Sequence, residues 1–320
     1  MPAGVEQRGV EISPTGLKHK FSPKTSGYIP RGLTYAAVVI IVLMLVIILV
    51  DILWGGVGTV SWDFLSKPPE NGMTAGGIFP AIFGTLALVI LMVIAVVPVG
   101  VLTAIYLHEY TSSSSWSTRI IRQAINNLAG VPSIVFGLFG LGFFISFIGG
   151  GLDKLFYDAG SPVWRQPAII WAALTLSLLT LPVVIISTEE ALRTIPQDIK
   201  DASLALGATK LQTIWRVILP QAMPGILTGA ILAVNRGAGE VAPIMFTGAA
   251  YYLPYLPDQL NDQFMHLGYH VYVMATQSPD VEQTKPILYG TVLVLLILTF
   301  MLNFTAILIR SKIRRRRADG

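Results

Sequence analysis

Six long apolar stretches decide what this chain can fold into. They run over Leu33–Leu53, Ile82–Leu107, Ile125–Ile148, Ala168–Ser187, Ile226–Phe246 and Ile287–Ile309. A helix of about 20 apolar residues crosses the ~30 Å of hydrocarbon in a bilayer. It also satisfies its own backbone polar groups there. The pattern predicts an all-α integral membrane protein with six transmembrane helices. A soluble alternative fails on charge: 12% of the 320 residues are charged, against about 25% in a soluble domain. The chain has no cysteine, which excludes disulfides, thiolate metal sites and cysteine nucleophiles.

The six stretches are not alike. The first and last are nearly unbroken Val/Ile/Leu runs, as suits walls facing lipid. The middle four carry Gly, Pro, Ser, Thr and Asn, which suit a closely packed bundle. Pro98, Pro132 and Pro182 fall inside stretches and are expected to kink them. Placing both termini in the cytoplasm puts 17 of the 22 basic residues on that side and 4 on the other, with Arg236 inside a stretch. That is a strong positive-inside signal. The expected organisation is a mobile cytoplasmic segment over 1–32, a six-helix membrane domain over 33–310 and a basic cytoplasmic tail over 311–320. The run Arg314–Arg317 reads as a cytoplasmic anchor and not as a nucleic-acid site. The first apolar run is too long for a signal-peptide core, so no cleavable signal is expected.

Between the fourth and fifth stretches lie about 37 residues, Thr188 to Pro224, where a helical hairpin needs only a handful. This segment has its own punctuation. Thr188 is a candidate cap for an extension through Glu189 and Glu190. Pro196 opens a short helix, and Gly207 offers a left-handed stop. Thr209 caps a second short helix, Lys210 to Ile218, expected to end at Leu219-Pro220. Leu206, Leu211, Ile214, Trp215 and Ile218 give the pair an apolar face. Composition leaves two readings open, a surface for a partner protein or an amphipathic hairpin lying on the bilayer.

Arg236 and Glu240 both fall in the fifth stretch, and an ionisable residue within a span is a functional-site candidate. Four apart, they share a helix face, next to a small-residue stripe of Gly225, Gly229, Ala233 and Gly237. Arg236 is expected about 18 Å in from one membrane face, and Pro132 about 15 Å in, by helical rise. Asn126, Asn127, Gly130 and Ser133, with the carbonyls freed around Pro132, would add polar groups at that depth. A guanidinium forms bidentate bonds with phosphate-like oxyanions. The pair reads either as an anion contact on a pathway or as a buried pair that fixes packing.

Two sets of residues resemble a known family. Asp201-Ala202-Ser203, Gly207 and, nine residues on, Val217-Ile218-Leu219-Pro220 resemble the EAA coupling motif of ABC importer permeases. That motif reads Glu-Ala-Ala, three residues, Gly, nine residues, Ile-x-Leu-Pro; Asp201, Ser203 and Val217 are mild departures from it. The stretch from Ile125 through Gly140 resembles the third-span signature of phosphate permeases. Asn235 through Pro243 is similar to their Arg-Ala-x-Gly-Glu-Thr-Ala-Pro element, with Gly237 and Val241 as departures. Ala104 through Tyr110 also looks like family sequence. The likeness covers roughly residues 78–310 and is to the PstA type of phosphate ABC transporter permease.

The resemblance implies a type I ABC importer permease fold with a cytoplasmic coupling-helix hairpin at 196–220, in a bacterial inner membrane. Asp201, Ala202, Ser203, Gly207, Val217, Leu219 and Pro220 would couple to a separate ATPase. Arg236, Glu240, Asn126, Asn127, Gly130, Pro132 and Ser133 would line the substrate pathway. Implied partners are a second, PstC-like permease in a heterodimer, a PstB-like ATPase dimer, a PstS-like phosphate-binding protein and membrane lipid, with no nucleic acid. The chain has no phosphate-binding Gly-rich loop of its own, so no cofactor is expected on it, and ATP and Mg would sit on the ATPase. Permeases for molybdate, tungstate or sulfate share the coupling hairpin and form the nearest alternative. A membrane-embedded enzyme or a sensor would need acid, base or metal clusters, or a soluble signalling domain. Tyr251, Tyr252, Tyr255, Tyr269 and Tyr272 read as an interfacial belt or as a dock for the binding protein. His266 and His270 lack a third ligand for a metal, and His108-Glu109 reads as the interfacial end of the second stretch.

Overall fold

The computed structural model describes residues 28–112, 114–157, 162–278 and 280–318. It divides into two compact units, residues 1–51 and 52–320. In the first, the described part is most of one helix, Tyr28–Gly56, nearly unbroken in apolar residues. Most of the N-terminal segment expected to be mobile, residues 1–27, lies outside the described residues, as do residues 319 and 320 of the tail. Six helices are long and apolar enough to cross a membrane: Pro30–Gly56, Phe79–Tyr110, Ser133–Phe156, Ile169–Arg193, Lys210–Gly239 and Val281–Ile313, called spans one to six in order.

Spans two, four and five build the core of the second unit. Leu88, Met92 and Val96 of span two, Ala172, Leu176 and Val184 of span four and Ala233 of span five are buried together. Small residues set how close the helices come. A Cβ on Gly225 would lie 2.2 Å from Ala191 Cβ, one on Gly229 3.0 Å from Ser187 Cβ, and one on Gly237 2.5 Å from Met92 Sδ. The small-residue stripe of span five thus packs on spans four and two, with no room for larger side chains. The Ser177 hydroxyl donates from span four to the Met92 carbonyl at 3.1 Å, and also to Ala173 of its own helix at 2.7 Å. Pro98 and Pro182 lie inside continuous helices.

Pro132 does more than kink. The expected helix over Ile125–Ile148 is split in two: Trp116–Ala129 is a separate amphipathic helix, and span three begins only at Ser133. Pro132 holds φ −58° and ψ 139°, an extended conformation that cannot continue a helix. Proline also steers the residue before it away from helical backbone. Asn126 and Asn127 therefore lie outside span three, and their expected depth within it does not hold.

Span five differs the other way. Its helix does not stop at Leu219-Pro220. It runs from Lys210 through a wide-turn stretch, Ile214–Ile218, into Leu219–Gly239. Proline has no N–H to donate and its ring crowds the preceding turn. A local π-type widening absorbs such a defect without ending a helix. Arg236, about 26 residues past Lys210, stands roughly 39 Å along this run by helical rise. Thr188 is no cap; it is buried inside helix Ile169–Arg193, in its C-terminal part.

At the end opposite the hairpin, the chain turns after Glu240 into a short helix, Ile244–Thr247. It returns as a loop in which the Ala250 N–H donates to the Phe264 carbonyl at 2.8 Å. Helix Leu267–Gln277 comes next and packs on spans six and two. Phe264, Met265 and His266 are fully buried. A Cβ on Gly84 of span two would lie 2.1 Å from the Met265 carbonyl.

Candidate functional site

The hairpin is built much as its punctuation predicts. Pro196 stands just before the first arm, Gln197–Ala205, as its N-cap. Gly207 takes φ +86°, a left-handed conformation that glycine adopts without a Cβ clash. The second arm opens with a capping box: the Thr209 hydroxyl accepts from the Gln212 N–H, and the Gln212 side chain accepts from the Thr209 N–H. Asp201 and Ala202 are exposed on the first arm, the Asp201 carboxylate accepting from Gln197 Nε2 at 3.2 Å. Ser203 joins the arms, its Oγ 3.0 Å from Thr213 Oγ1. Val217, Leu219 and Pro220 are half-buried where the second arm becomes span five.

The apolar face is smaller than expected. Ile214 and Ile218 are buried in the body of the protein. The uncovered residues are Leu206, 90% exposed, Leu211, Trp215 and also Leu204.

At the other end of the same helical run stands the charged pair. Arg236 Nε lies 3.5 Å from Glu240 Oε1, with the side chains 35% and 22% exposed. The two are not on one helix, because span five ends at Gly239 and Glu240 is its extended C-cap. A guanidinium carries five N–H donors. No hydrogen bond among the described residues engages its two terminal nitrogens. The pair is in ion-pair contact, and the guanidinium is open to a further acceptor.

Of the third-span residues, Ser133 opens span three and is half-buried, while Asn126, Asn127, Gly130 and Pro132 are exposed. No hydrogen bond among the described residues joins any of them to Arg236 or Glu240. Asn126 lines a charged cleft with Arg122, Ile125, Ile185, Glu189 and Arg193 instead. The two family-like stretches do meet one turn further on. A Cβ on Gly137 would lie 3.0 Å from both the Ala242 carbonyl and Pro243 Cα.

Sequence reasoning missed a set of ion pairs at the hairpin end. Arg122 forms a two-pronged pair with Glu189 of span four, at 2.9 Å on each prong. It also donates to the Leu107 carbonyl at 3.3 Å. Lys200 of the first arm is buried and lies 2.5 Å from Glu109 Oε1, at the end of span two. At the far end, outside the six spans, His266 and His270 are buried without charge partners among the described residues. Burial alone lowers them from 6.5 to about 3 and about 4. His266 Nδ1 accepts from the Gly268 N–H at 3.1 Å and so caps helix Leu267–Gln277.

Six membrane-length helices, three of which build the core of the second unit, with a two-arm hairpin between the fourth and fifth, make this a type I ABC importer permease fold. Two solved structures share it: a bacterial alginate ABC transporter in complex with alginate pentasaccharide-bound periplasmic protein, and the MetNI methionine ABC transporter in inward-facing conformations. The first gives a TM-score of 0.62 at 15% identity over 89% of this chain and 96% of that one. The second gives 0.52 at 18% over 74% and 94%. Residues 96–318 match the family described as binding-protein-dependent transport system inner membrane component. The chain belongs to that family and is a multi-pass inner-membrane transport component.

Among its relatives are three permeases. The phosphate transport system permease protein PstA 1 of Mycobacterium tuberculosis is 34% identical over 243 residues, 76% of this chain and 73% of the relative. PstA of Haemophilus influenzae is 29% identical over 290 residues, 90% and 95% of the two chains. The probable ABC transporter permease YqgI of Bacillus subtilis is 35% identical over 196 residues, and the match spans 61% of its length.

Proposed function

We propose that this chain is the membrane-spanning permease subunit of an ATP-driven, binding-protein-dependent phosphate importer. It forms half of the translocation pathway and carries no ATPase of its own. Both termini face the cytoplasm, as does the hairpin 196–220. Residues 1–32 and 311–320 are cytoplasmic flanks of the permease domain. A second, PstC-like permease completes the pathway, a PstB-like ATPase dimer engages the hairpin, and a PstS-like binding protein delivers phosphate from the other side. Leu206, Leu211 and Trp215 supply the apolar contact with the ATPase, beside Asp201, Ala202, Ser203 and Gly207.

One observation carries the reading. A single helical run connects the exposed hairpin to Arg236, whose terminal nitrogens are unengaged among the described residues while its Nε lies 3.5 Å from Glu240 Oε1. ATPase closure pushing on Lys210 would be felt at Arg236 through that run, with Val217, Leu219 and Pro220 at the join. The guanidinium matches a tetrahedral oxyanion in charge and donor geometry. Asn126, Asn127, Gly130, Pro132 and Ser133 line the route rather than the Arg236 contact. Phosphate is preferred over other oxyanions because the PstA relatives are named for phosphate transport.

The test is uptake by the assembled complex in vesicles, with ATP inside and the phosphate-binding protein outside. Arg236→Ala is expected to lower phosphate uptake about 100-fold and Arg236→Lys about 10-fold, the loss of a charge-assisted bidentate contact. Full uptake by both variants, with normal assembly, removes Arg236 from the pathway. Uptake of sulfate, molybdate or tungstate in place of phosphate, each with its own binding protein, would overturn the substrate.

A further inference from the structure

The last turn of span two, Tyr106–Tyr110, has an unusual number of cations around it. A helix C-terminus leaves carbonyls without intrahelical partners and carries partial negative charge that favours cations. Here the Glu109 carbonyl accepts from the Lys210 ammonium. Lys210 also stands 4.6 Å over the Tyr110 ring. The Glu109 carboxylate takes Lys200 Nζ at 2.5 Å, with side chains 10% and 9% exposed. His108 Nε2 stands 3.3 Å from the same ammonium. Lys200 belongs to the first arm of the hairpin and Lys210 to the second. Among the described residues, the side-chain hydrogen bonds from the first arm to span two are those of Lys200 to Glu109 and His108. The other side-chain bonds of this arm stay within the hairpin.

The geometry points to a clamp in which Glu109 is gripped by both arms of the hairpin, through Lys200 and Lys210, so that span two moves with the hairpin. These three are positioning residues; none stands at Arg236. The inference rests on the hairpin being the element an ATPase moves. Without the clamp, a push on the hairpin reaches span two only through the apolar cluster that Ile214 and Ile218 of the second arm share with Ile105 and Leu107, and the first arm has no part in it among the described residues. With it, the same push is shared by spans two and five, which already touch at Met92 and Gly237. A nearly desolvated Lys–Glu pair suits this task, since removing one partner leaves a buried, unpaired charge while keeping both preserves the contact.

The chain has no native cysteine, so the clamp can be opened and rebuilt covalently in the full complex. The readouts are ATPase co-purification, ATP hydrolysis and phosphate uptake in vesicles. Glu109→Gln, Lys200→Met and the double variant Glu109→Cys/Lys200→Cys are expected to retain the ATPase subunit. The ATP hydrolysed per phosphate taken up should rise about ten-fold as the coupling contact is lost. Bridging the two cysteines with a short bis-methanethiosulfonate linker is expected to bring the ratio back toward wild type, and reductant to abolish that recovery. The swap Glu109→Lys/Lys200→Glu should also recover coupling. Wild-type coupling in the single variants overturns the clamp. So does a swap as defective as the singles in assembly or transport, and so does bridging that leaves an uncoupled variant uncoupled. If the wild-type chain retains no ATPase subunit, the coupling reading of the hairpin fails instead, which is a separate outcome.

Discussion

At the hairpin end, charged ties are added to the apolar cluster of Leu107, Leu192, Ile214 and Ile218: Lys200 to Glu109, Arg122 to Glu189, Lys210 to the end of span two. At the far end, residues 248–277 are held by close apolar packing and by neutral histidines. Phe264 and Met265 are pressed on Gly84, Gly248 lies against the Ala168 carbonyl, and His266 and His270 are buried with no charged neighbour among the described residues. The contrast has a physical lesson. Ion pairs are directional but tolerate sliding and solvent, whereas a close-packed contact gives up its energy over fractions of an ångström. The far end therefore depends on close packing throughout, whereas the hairpin end combines an apolar cluster with charged ties that solvent partly reaches.

The largest expected effect tests the close-packed end. Gly84→Ala places a Cβ 2.1 Å from the Met265 carbonyl, and backbone cannot step aside as a flexible side chain can. A loss of about 3 kcal/mol is expected, the upper range for overpacking, read as a lower melting temperature of the detergent-solubilised protein. Gly142→Ala, where a Cβ would meet nothing within 4 Å, is the control and should be close to neutral. Equal tolerance at both sites would break the comparison.

Acid should loosen the same end. Both histidines are depressed below 6.5, His266 to about 3 and His270 to about 4. An opened segment binds protons as pH falls through 6.5 while the closed one stays neutral, so stability is full above that pH and is lost below it. Each histidine costs about 1.4 kcal/mol per pH unit in that window, or about 2 kcal/mol at pH 5. Hydrogen exchange over 262–277, corrected for intrinsic rate, should therefore speed up between pH 7 and pH 5. His270→Leu should halve the slope. A pH-independent opening would show that these rings reach water or a proton acceptor.

The contrast also explains what can be read from the sequence. The membrane helices, Gly207 and the Thr209 cap are legible because hydropathy and capping are local signals. Hydropathy starts span three too early because Ile125 through Ala129 is apolar enough on average to merge with the run beyond Pro132, although its own residues form an amphipathic helix. Pro220 reads as a stop because nothing local announces the widened turn at Ile214–Ile218 that accommodates it. The pairing of Arg236 with Glu240 is visible in their spacing; that Glu240 lies past the helix end is not. Glu109 looks like an interfacial residue because its partners lie 91 and 101 positions away, beyond any periodicity. Charged ties between distant segments leave no trace in local pattern, whereas the packing stripe of Gly225, Gly229, Ala233 and Gly237 repeats and can be seen.

A smaller effect is expected where the charged end is half open. Arg122→Gln leaves Glu189, 10% exposed, without its guanidinium, but Arg122 itself is 31% exposed. The cost of breaking a fully buried pair is therefore discounted to about 1–2 kcal/mol. Unlike Gly84→Ala, it should shrink as ionic strength rises, because salt screens what solvent can reach. Melting temperatures of the variant and the wild type at low and high salt separate the two mechanisms. A salt-independent loss would mean that the cleft is as closed as the far end.

The smallest effect belongs to the hairpin itself. Thr209→Ala removes the hydroxyl that accepts from the Gln212 N–H, with an expected cost of about 1 kcal/mol. The loss falls on the first turn of a helix that continues to Gly239, so fraying should stay local to 207–213 and leave global melting nearly unchanged. Hydrogen exchange at the Gln212 and Thr213 amides reads it directly. Should the fraying instead spread past Ile218, the widened turn there is a point where the second arm comes apart from span five, and the hairpin end would be looser than its ion pairs suggest.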